Sequence, residues 1–249
     1  MTKVCILGSM GWMPAAGQQT ACALVETRGQ LMLLDAGTGV ANLAMCQDIL
    51  ARYDRLSILL SHYHLDHVCG LMYLKRFAAH MRVDVYGPGR PAYERTTADY
   101  LCDVLQESMY SSGPHGFARE VNYVDYDGKD FMVGDVRVGV RVQRHSAPSF
   151  ELRIEDDVVY ATDTCFDREN WGNVAPAKLL LHECWQLNSA DPRHTSVESL
   201  SSGLPRDTFG KVVLVHLNPS WNETERAAVE RKARQRGFAL AHDGQTIAI

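Results

Sequence analysis

One short segment constrains this chain more than any other, because four of its side chains can bind metal: Ser61-His62-Tyr63-His64-Leu65-Asp66-His67. We call it the motif segment. The apolar run at residues 58–60, just before it, predicts a buried strand. Imidazole and carboxylate groups are ligands of borderline cations such as Zn²⁺, and burying several of them without a partner would be costly. The sequence therefore predicts a metal site where this strand ends.

The spacing inside the motif segment indicates two metal positions. His62 and His64 are two residues apart on an extended segment, so their side chains project to the same side and can share one ion. Asp66 and His67 begin the next turn and would point toward a second position, so that two ions could act as a clamp. We therefore expect two divalent metal ions per chain. Zn²⁺ is the first expectation, with Mn²⁺ or Fe²⁺ as alternatives.

The order of the predicted elements indicates the fold class. Strands come first, then helical segments, then strands again from residue 120, and finally alternating strands and helices. One long strand is predicted over residues 130–145, and a charged amphipathic helix is predicted to end at Gly237. We expect an α+β protein with two facing mixed β-sheets flanked by helices, an αββα sandwich. We expect one domain over residues 1–249.

Charge and hydropathy argue against two classes of protein. The formal net charge is −5, and the basic residues are scattered apart from those of the charged helix, which disfavours a general nucleic-acid binder. The apolar stretches stay well short of the roughly 18 residues that a membrane span requires. We expect a cytoplasmic protein that does not interact with a membrane.

The motif segment and the turn Asp35-Ala36-Gly37, which follows an earlier predicted strand, resemble the metallo-β-lactamase superfamily. The resemblance extends over essentially the whole chain. In that family a distant His, a bridging Asp and a last His complete the metal site, each at the end of a strand. The matching positions here are His145, Asp163 and His216. The resemblance also implies that Asp35 supports the motif segment through hydrogen bonds without binding metal.

The resemblance implies a division of the ligands between two ions. One ion would be held by His62, His64 and His145, the other by Asp66, His67 and His216, and Asp163 would bridge them.

Two further residues are similar to a pair in the ribonuclease Z branch of this superfamily. Glu183 lies in the run LLLHECW, and His194 lies in DPRHTS. In that branch the carboxylate orients the imidazole, which contacts the scissile phosphate. The pairing also has a physical rationale, because expelling an alkoxide requires a general acid, and a histidine held by a carboxylate is a suitable one. We count Asp66, Glu183 and His194 as candidate catalytic residues.

Two adjacent metal ions would supply hydroxide near neutral pH and polarise a phosphoryl or carbonyl oxygen, which favours hydrolysis. Our leading hypothesis is a phosphodiesterase that uses metal-bound hydroxide on a small or nucleotide-like phosphate ester. A carbon-ester, thioester or lactone hydrolase on the same site is the alternative, followed by a non-catalytic metal-binding pathway protein. A di-iron redox site similar to that of the flavodiiron proteins would have Glu in place of the second His of the motif. Position 64 is His, which disfavours a redox function.

The chain departs from ribonuclease Z where that branch chooses its substrate. The tRNA-processing enzymes insert a long basic arm between the residues that match His145 and Asp163, and here the intervening segment is too short to hold it. This difference and the acidic net charge make tRNA an unexpected substrate. We expect a small-molecule phosphate ester instead, and dimerisation with a second copy as in other members of the superfamily.

Overall fold

Two seven-stranded sheets form the centre of the computed structural model, which describes residues 1–171, 174–188, 192–205 and 207–249. The strands are β1 (Lys3–Gly8), β2 (Cys22–Thr27), β3 (Gln30–Leu34), β4 (Arg55–Leu59), β5 (Arg82–Gly87), β6 (Glu120–Asp125), β7 (Phe131–Val133), β8 (Val136–Gln143), β9 (Ser149–Ile154), β10 (Val158–Ala161), β11 (Ala177–Cys184), β12 (Phe209–Leu217), β13 (Phe238–Leu240) and β14 (Thr246–Ala248).

The two sheets have matching patterns of strand direction. The first sheet has the order β14-β1-β2-β3-β4-β5-β6, antiparallel from β14 to β3 and parallel from β3 to β6. The second has the order β13-β12-β11-β10-β9-β8-β7, parallel from β13 to β10 and antiparallel from β10 to β7. Each sheet thus joins an antiparallel half to a parallel half, and the parallel strands deliver their carboxyl ends to one edge.

Short helices cover the outer faces. They are two 3₁₀ helices at Thr38–Cys46 and Cys69–Tyr73, together with α1 (Gln47–Leu50), α2 (Leu65–Val68), α3 (Lys75–Ala78), α4 (Thr97–Val104), α5 (Arg168–Trp171), α6 (Val197–Gly203) and α7 (Glu223–Gln235). The longer ones begin with side-chain caps. Asn222 and Glu225 form a capping box at the start of α7, which satisfies amides that the first turn leaves free.

The apolar residues form three layers, because successive residues of a buried strand face opposite sides of a sheet. Leu34 of β3 and Leu181 of β11 belong to the layer between the sheets. Leu33 faces the helices outside the first sheet, and Leu180 faces α6 and α7 outside the second. These layers build the αββα sandwich that the order of elements predicts.

The prediction of one long strand over residues 130–145 is wrong in one respect. The structure has a hairpin of β7 and β8 in this region, with Val133 paired to Val136. Gly134 occupies the turn at φ +60°, a conformation that glycine adopts without a steric penalty. The charged helix is confirmed as α7. Within the described ranges, none of the helices combines the length and the apolar character needed to cross a bilayer.

Candidate metal centre

The motif segment leaves β4 and enters α2, which places its polar side chains at the carboxyl edge of the first sheet. His62 and His67 are buried, and His64 is partly exposed. His62 Nε2 lies 2.9 Å from His64 Nδ1, and His67 Nε2 lies 3.3 Å from Asp66 Oδ2. The four candidate ligands of the motif segment therefore face a common region.

The second sheet adds three side chains from three different places in the chain. His145 follows β8, Asp163 follows β10, and His216 lies near the end of β12. The Asp163 carboxylate is the point where they meet. Its Oδ1 lies 3.2 Å from His145 Nε2, and its Oδ2 lies 2.9 Å from His216 Nε2 and 3.0 Å from His67 Nε2. Asp163 thus links the histidines of both sheets.

The seven predicted ligands fall into two separate groups, each with its ligand atoms within 4.8 Å: His62, His64, His145 and Asp163 form one, and Asp66, His67 and His216 form the other. This grouping coincides with the division of ligands that the resemblance implies. The structure therefore brings all seven predicted ligands together, while their assignment to particular ions stays a prediction.

The orientation of the imidazoles fits a bound cation. His67 Nδ1 lies 2.7 Å from Asp35 Oδ2, and His145 Nδ1 lies 3.0 Å from the Arg193 carbonyl oxygen. His62 Nδ1 lies 3.0 Å from Ser61 Oγ. In each ring an outer partner occupies Nδ1 and leaves Nε2 facing the cluster, the arrangement that orients metal-binding histidines. Imidazoles and carboxylates in these numbers suit Zn²⁺ and related divalent ions.

Asp35 connects the motif segment to both sheets. Its fully buried carboxylate accepts hydrogen bonds from the Ser61 amide at 2.7 Å, the Ser61 hydroxyl at 2.8 Å and the Tyr160 hydroxyl at 2.9 Å, besides contacting His67. The resemblance implied this supporting role, and the contacts confirm it. Tyr160 lies on β10, so one carboxylate ties the motif segment to the opposite sheet.

Three residues of the site have a strained backbone conformation that sets the direction of their side chains. Asp35, Asp163 and His216 have φ values of +53°, +49° and +47°, in the left-handed region that residues other than glycine rarely adopt. His216 is also bulged out of register, because Glu183 pairs with Val215 and Cys184 with Leu217. Strain of this kind costs about 1–3 kcal/mol per residue and is concentrated at functional sites. Here the strained backbone directs the side chains at these strand ends toward the cluster.

Burial and neighbouring charges shift the pKa values of the side chains in the cluster. Burial raises the pKa of Asp163, but the neighbouring His216 and His67 outweigh burial and hold it well below its usual range. Burial lowers the pKa of His216, but Asp163 and Asp66 outweigh burial and raise it to about 10. His62, where burial dominates, has its pKa lowered well below the ordinary value. A divalent cation can therefore replace the protons that balance the carboxylates.

Glu183 and His194 also meet beside this cluster. Glu183 lies on β11 with its side chain fully buried, and its Oε2 is 3.0 Å from His194 Nδ1. A ring nitrogen of His194 also lies within 4.8 Å of a carboxylate oxygen of Asp163 and of a ring nitrogen of His216. The preceding His182 packs 5.1 Å from the Trp171 ring in the outer layer, as expected from strand alternation.

Comparison with known proteins identifies the family. A family model described as Anti-Pycsar protein Apyc1 matches residues 3–244. The chain belongs to the Apyc1 family. The Apyc1 protein of Paenibacillus harenae is 27% identical over 209 residues, which cover 78% of this chain and 81% of that protein. A ribonuclease Z of Methanopyrus kandleri is 32% identical over 219 residues, which cover 84% of this chain and 71% of that protein.

The fold of this Apyc1-family chain matches solved structures over its full length. The crystal structure of the metallo-β-lactamase fold protein YhfI from Bacillus subtilis superposes with a TM-score of 0.77 at 18% identity, covering 100% of both chains. The resemblance to the metallo-β-lactamase superfamily and its ribonuclease Z branch is therefore confirmed. The chain is a metal-dependent hydrolase of this superfamily with a His/Asp metal site.

Sequence reasoning missed three contacts in this Apyc1-family site. The Trp12 amide donates to Asp66 Oδ2 at 2.7 Å. Tyr160 donates to Asp35, and Trp185 stacks on His194. Trp185 lies two residues after Glu183, which could have drawn attention to it. Nothing in the sequence around Trp12 or Tyr160 distinguishes these residues from ordinary apolar ones.

Proposed function

We propose that the chain is a dinuclear phosphodiesterase that hydrolyses small or nucleotide-like phosphate esters. The observation that carries this proposal is the contact between Glu183 and His194 beside the cluster centred on Asp163. A thioester hydrolase, which expels a stable thiolate, has little need of such a group. The relative from Methanopyrus kandleri is a ribonuclease by name, which supports a phosphodiester substrate.

The metal ions would be held by the predicted ligands: His62, His64 and His145 for one, Asp66, His67 and His216 for the other, with Asp163 between them. Zn²⁺ is the expected ion because of this donor set. When bound, the pair supplies Lewis acidity toward a phosphoryl oxygen and lowers the pKa of water.

The residues of the chain itself provide the proton for the leaving group. The Glu183 carboxylate engages His194 Nδ1, which leaves Nε2 free to donate a proton to the departing oxygen. Because Glu183 is fully buried, its carboxylate has few alternative partners, and the Thr164 amide donates to its other oxygen. The Glu183 carboxylate therefore fixes which ring nitrogen of His194 can face the leaving group.

A matched pair of substrates tests this role. A thymidine dinucleotide expels an alkoxide, which needs a proton, whereas thymidine 5′-p-nitrophenyl phosphate expels a stable aryloxide. We expect His194→Ala to lower kcat about 100-fold or more on the dinucleotide and far less on the aryl ester. His80→Ala, which changes an exposed histidine at the end of α3, is the control and should match the wild type.

Two outcomes would contradict the proposal. If His194→Ala left dinucleotide turnover unchanged while a lactone or thioester was hydrolysed efficiently, the carbonyl hydrolase would be the correct function. Stoichiometric metal without turnover on any ester would indicate a non-catalytic metal-binding protein.

We further propose that the chain does not cleave precursor tRNA, which a cleavage assay would test. We also propose that the chain pairs with a second copy, which light scattering would test.

A further inference from the structure

The indole of Trp185 packs face to face on the imidazole of His194. The ring centroids are 4.5 Å apart and the ring planes differ by 16°. The same indole lies 5.6 Å from the His216 ring, tilted by 30°. Trp185 therefore packs against both the candidate general acid and a candidate metal ligand, whose ring centroids are 6.0 Å apart.

The backbone on either side of this stack is fixed. The Trp185 amide donates to the Thr195 carbonyl at 2.8 Å, and the Asn218 side-chain amide donates to the Trp185 carbonyl at 3.1 Å. The Val197 amide donates to the Gln186 carbonyl at 2.9 Å, which extends the pairing by one more residue. The segment that carries Trp185 is thus bonded to the segment that carries His194, which keeps the backbones of the two residues close together.

His194 needs a restraint of this kind. Its contact with Glu183 fixes one nitrogen at the edge of the ring, but a hydrogen bond to one atom leaves the ring free to swing about that atom. The His145 ring lies 5.2 Å away at 65°, so it touches His194 edge-on and does not define its plane. Of the described side chains with a ring contact to His194, Trp185 makes the closest approach.

We propose that Trp185 is a positioning residue, whose flat face holds the His194 imidazole in the plane from which it protonates the leaving group. This inference rests on the proposed function, since it assigns Trp185 to the same proton transfer. Stacked aromatic pairs contribute a modest free energy beyond the area they bury, so the effect on the rate should be modest as well. It should also depend on the leaving group, because only a poor leaving group needs the proton.

Three variants separate an aromatic face from simple packing. Trp185→Leu fills part of the volume without a ring, Trp185→Phe keeps a smaller ring, and Trp221→Leu removes a tryptophan next to α7 as the control. We expect Trp185→Leu to lower kcat about 5- to 10-fold on the thymidine dinucleotide, with KM unchanged and less than about a twofold change on the p-nitrophenyl ester. Trp185→Phe should recover most of the loss, and Trp221→Leu should show none.

A second measurement needs no activity. The difference in indole emission between the wild type and Trp185→Phe, recorded on metal-free protein, isolates the emission of Trp185. A protonated imidazole stacked on an indole quenches its emission by electron transfer, so at acidic pH this difference should increase when His194→Ala is introduced into both proteins. An unchanged difference would show that the rings are not stacked in solution, and the inference would then be wrong.

The outcomes distinguish the inference from the proposed function. If His194→Ala lowers dinucleotide turnover but Trp185→Leu does not, the inference fails alone. Equal losses on both substrates, or a Phe variant as slow as the Leu variant, would show that Trp185 only supports the fold. If His194→Ala has no effect on the dinucleotide, the proposed function fails at its general acid, and the positioning role fails with it even if the emission result confirms the stack.

Discussion

The two sheets supply the metal centre in different ways. The first sheet delivers its four candidate ligands in one stretch, the motif segment, where β4 runs into α2. The second sheet delivers His145, Asp163 and His216 separately, from the ends of three strands. The strand patterns of the two sheets match, so this difference lies in the loops and not in the architecture.

The two groups are also held by different forces. A polar hub holds the motif segment, with the Asp35 carboxylate accepting from Ser61 and Tyr160 and contacting His67. Among the described residues, the second group shares no such carboxylate: Asp163 and His216 are directed by positive φ values, and His145 contacts the Arg193 carbonyl oxygen. Damage to the hub should therefore affect stability and metal binding together. Damage to a strand-end residue should affect the site while leaving most of the fold intact.

The largest effect is expected where the two groups meet. Asp163→Asn removes the charge that faces His67, His145 and His216, while Asn tolerates the left-handed backbone of that position. We expect turnover to fall about 1000-fold, with a loss of bound metal measurable by elemental analysis, because the proposed function places this carboxylate between the two ions. The melting temperature of the metal-free protein serves as the control for folding. Two ions per chain at an unchanged rate would contradict the bridging role.

The second prediction tests the hub. Asp35→Asn removes the negative charge of the buried carboxylate, while the groups of Ser61, Tyr160 and His67 that contact it stay in place. We expect the free energy of unfolding to fall by about 3 kcal/mol, as when one partner of a buried charged network is removed. Metal affinity should fall about 10- to 100-fold, because His67 loses its orienting partner. Chemical denaturation and metal titration would measure the two effects.

Tyr160→Phe is the matched control for the hub. It removes one donor from Asp35 and keeps the aromatic ring in the core between the sheets. The loss of stability should be about 1 kcal/mol. A loss as large as that of Asp35→Asn would mean that the carboxylate acts through Tyr160 alone, and the description of Asp35 as a hub would then be incorrect.

Two glycines, one beside each group, allow a further comparison. A Cβ on Gly70 would lie 1.9 Å from the Gly37 carbonyl oxygen, where the 3₁₀ helix that follows the motif segment packs on the backbone of the Asp35 turn. Gly70→Ala should lower the free energy of unfolding by about 2 kcal/mol. A Cβ on Gly11 would meet the His216 ring at 2.3 Å, so Gly11→Ala should reduce turnover more than stability. The reverse ranking would overturn the contrast between the two groups.

Local signals in the sequence predicted the elements well where spacing alone decides them. The alternation of acids and bases before Gly237 indicated α7, and the apolar run before the motif segment indicated β4. The strand predicted over residues 130–145 ran through the turn at Gly134, because alternating apolar residues on both sides of the turn read as one strand. Such a hairpin is visible only when the pairing of its two strands is known.

The sequence by itself determined the motif segment, since covalent geometry brings its four ligands together. It also supplied the remaining candidates through a resemblance to a family. Only the tertiary structure decided that Asp163 and His216 meet His67, that Tyr160 reaches Asp35, and that Trp185 covers His194. These contacts depend on how two sheets pack and on one bulge in β12, and both arise from pairing between residues far apart in the chain.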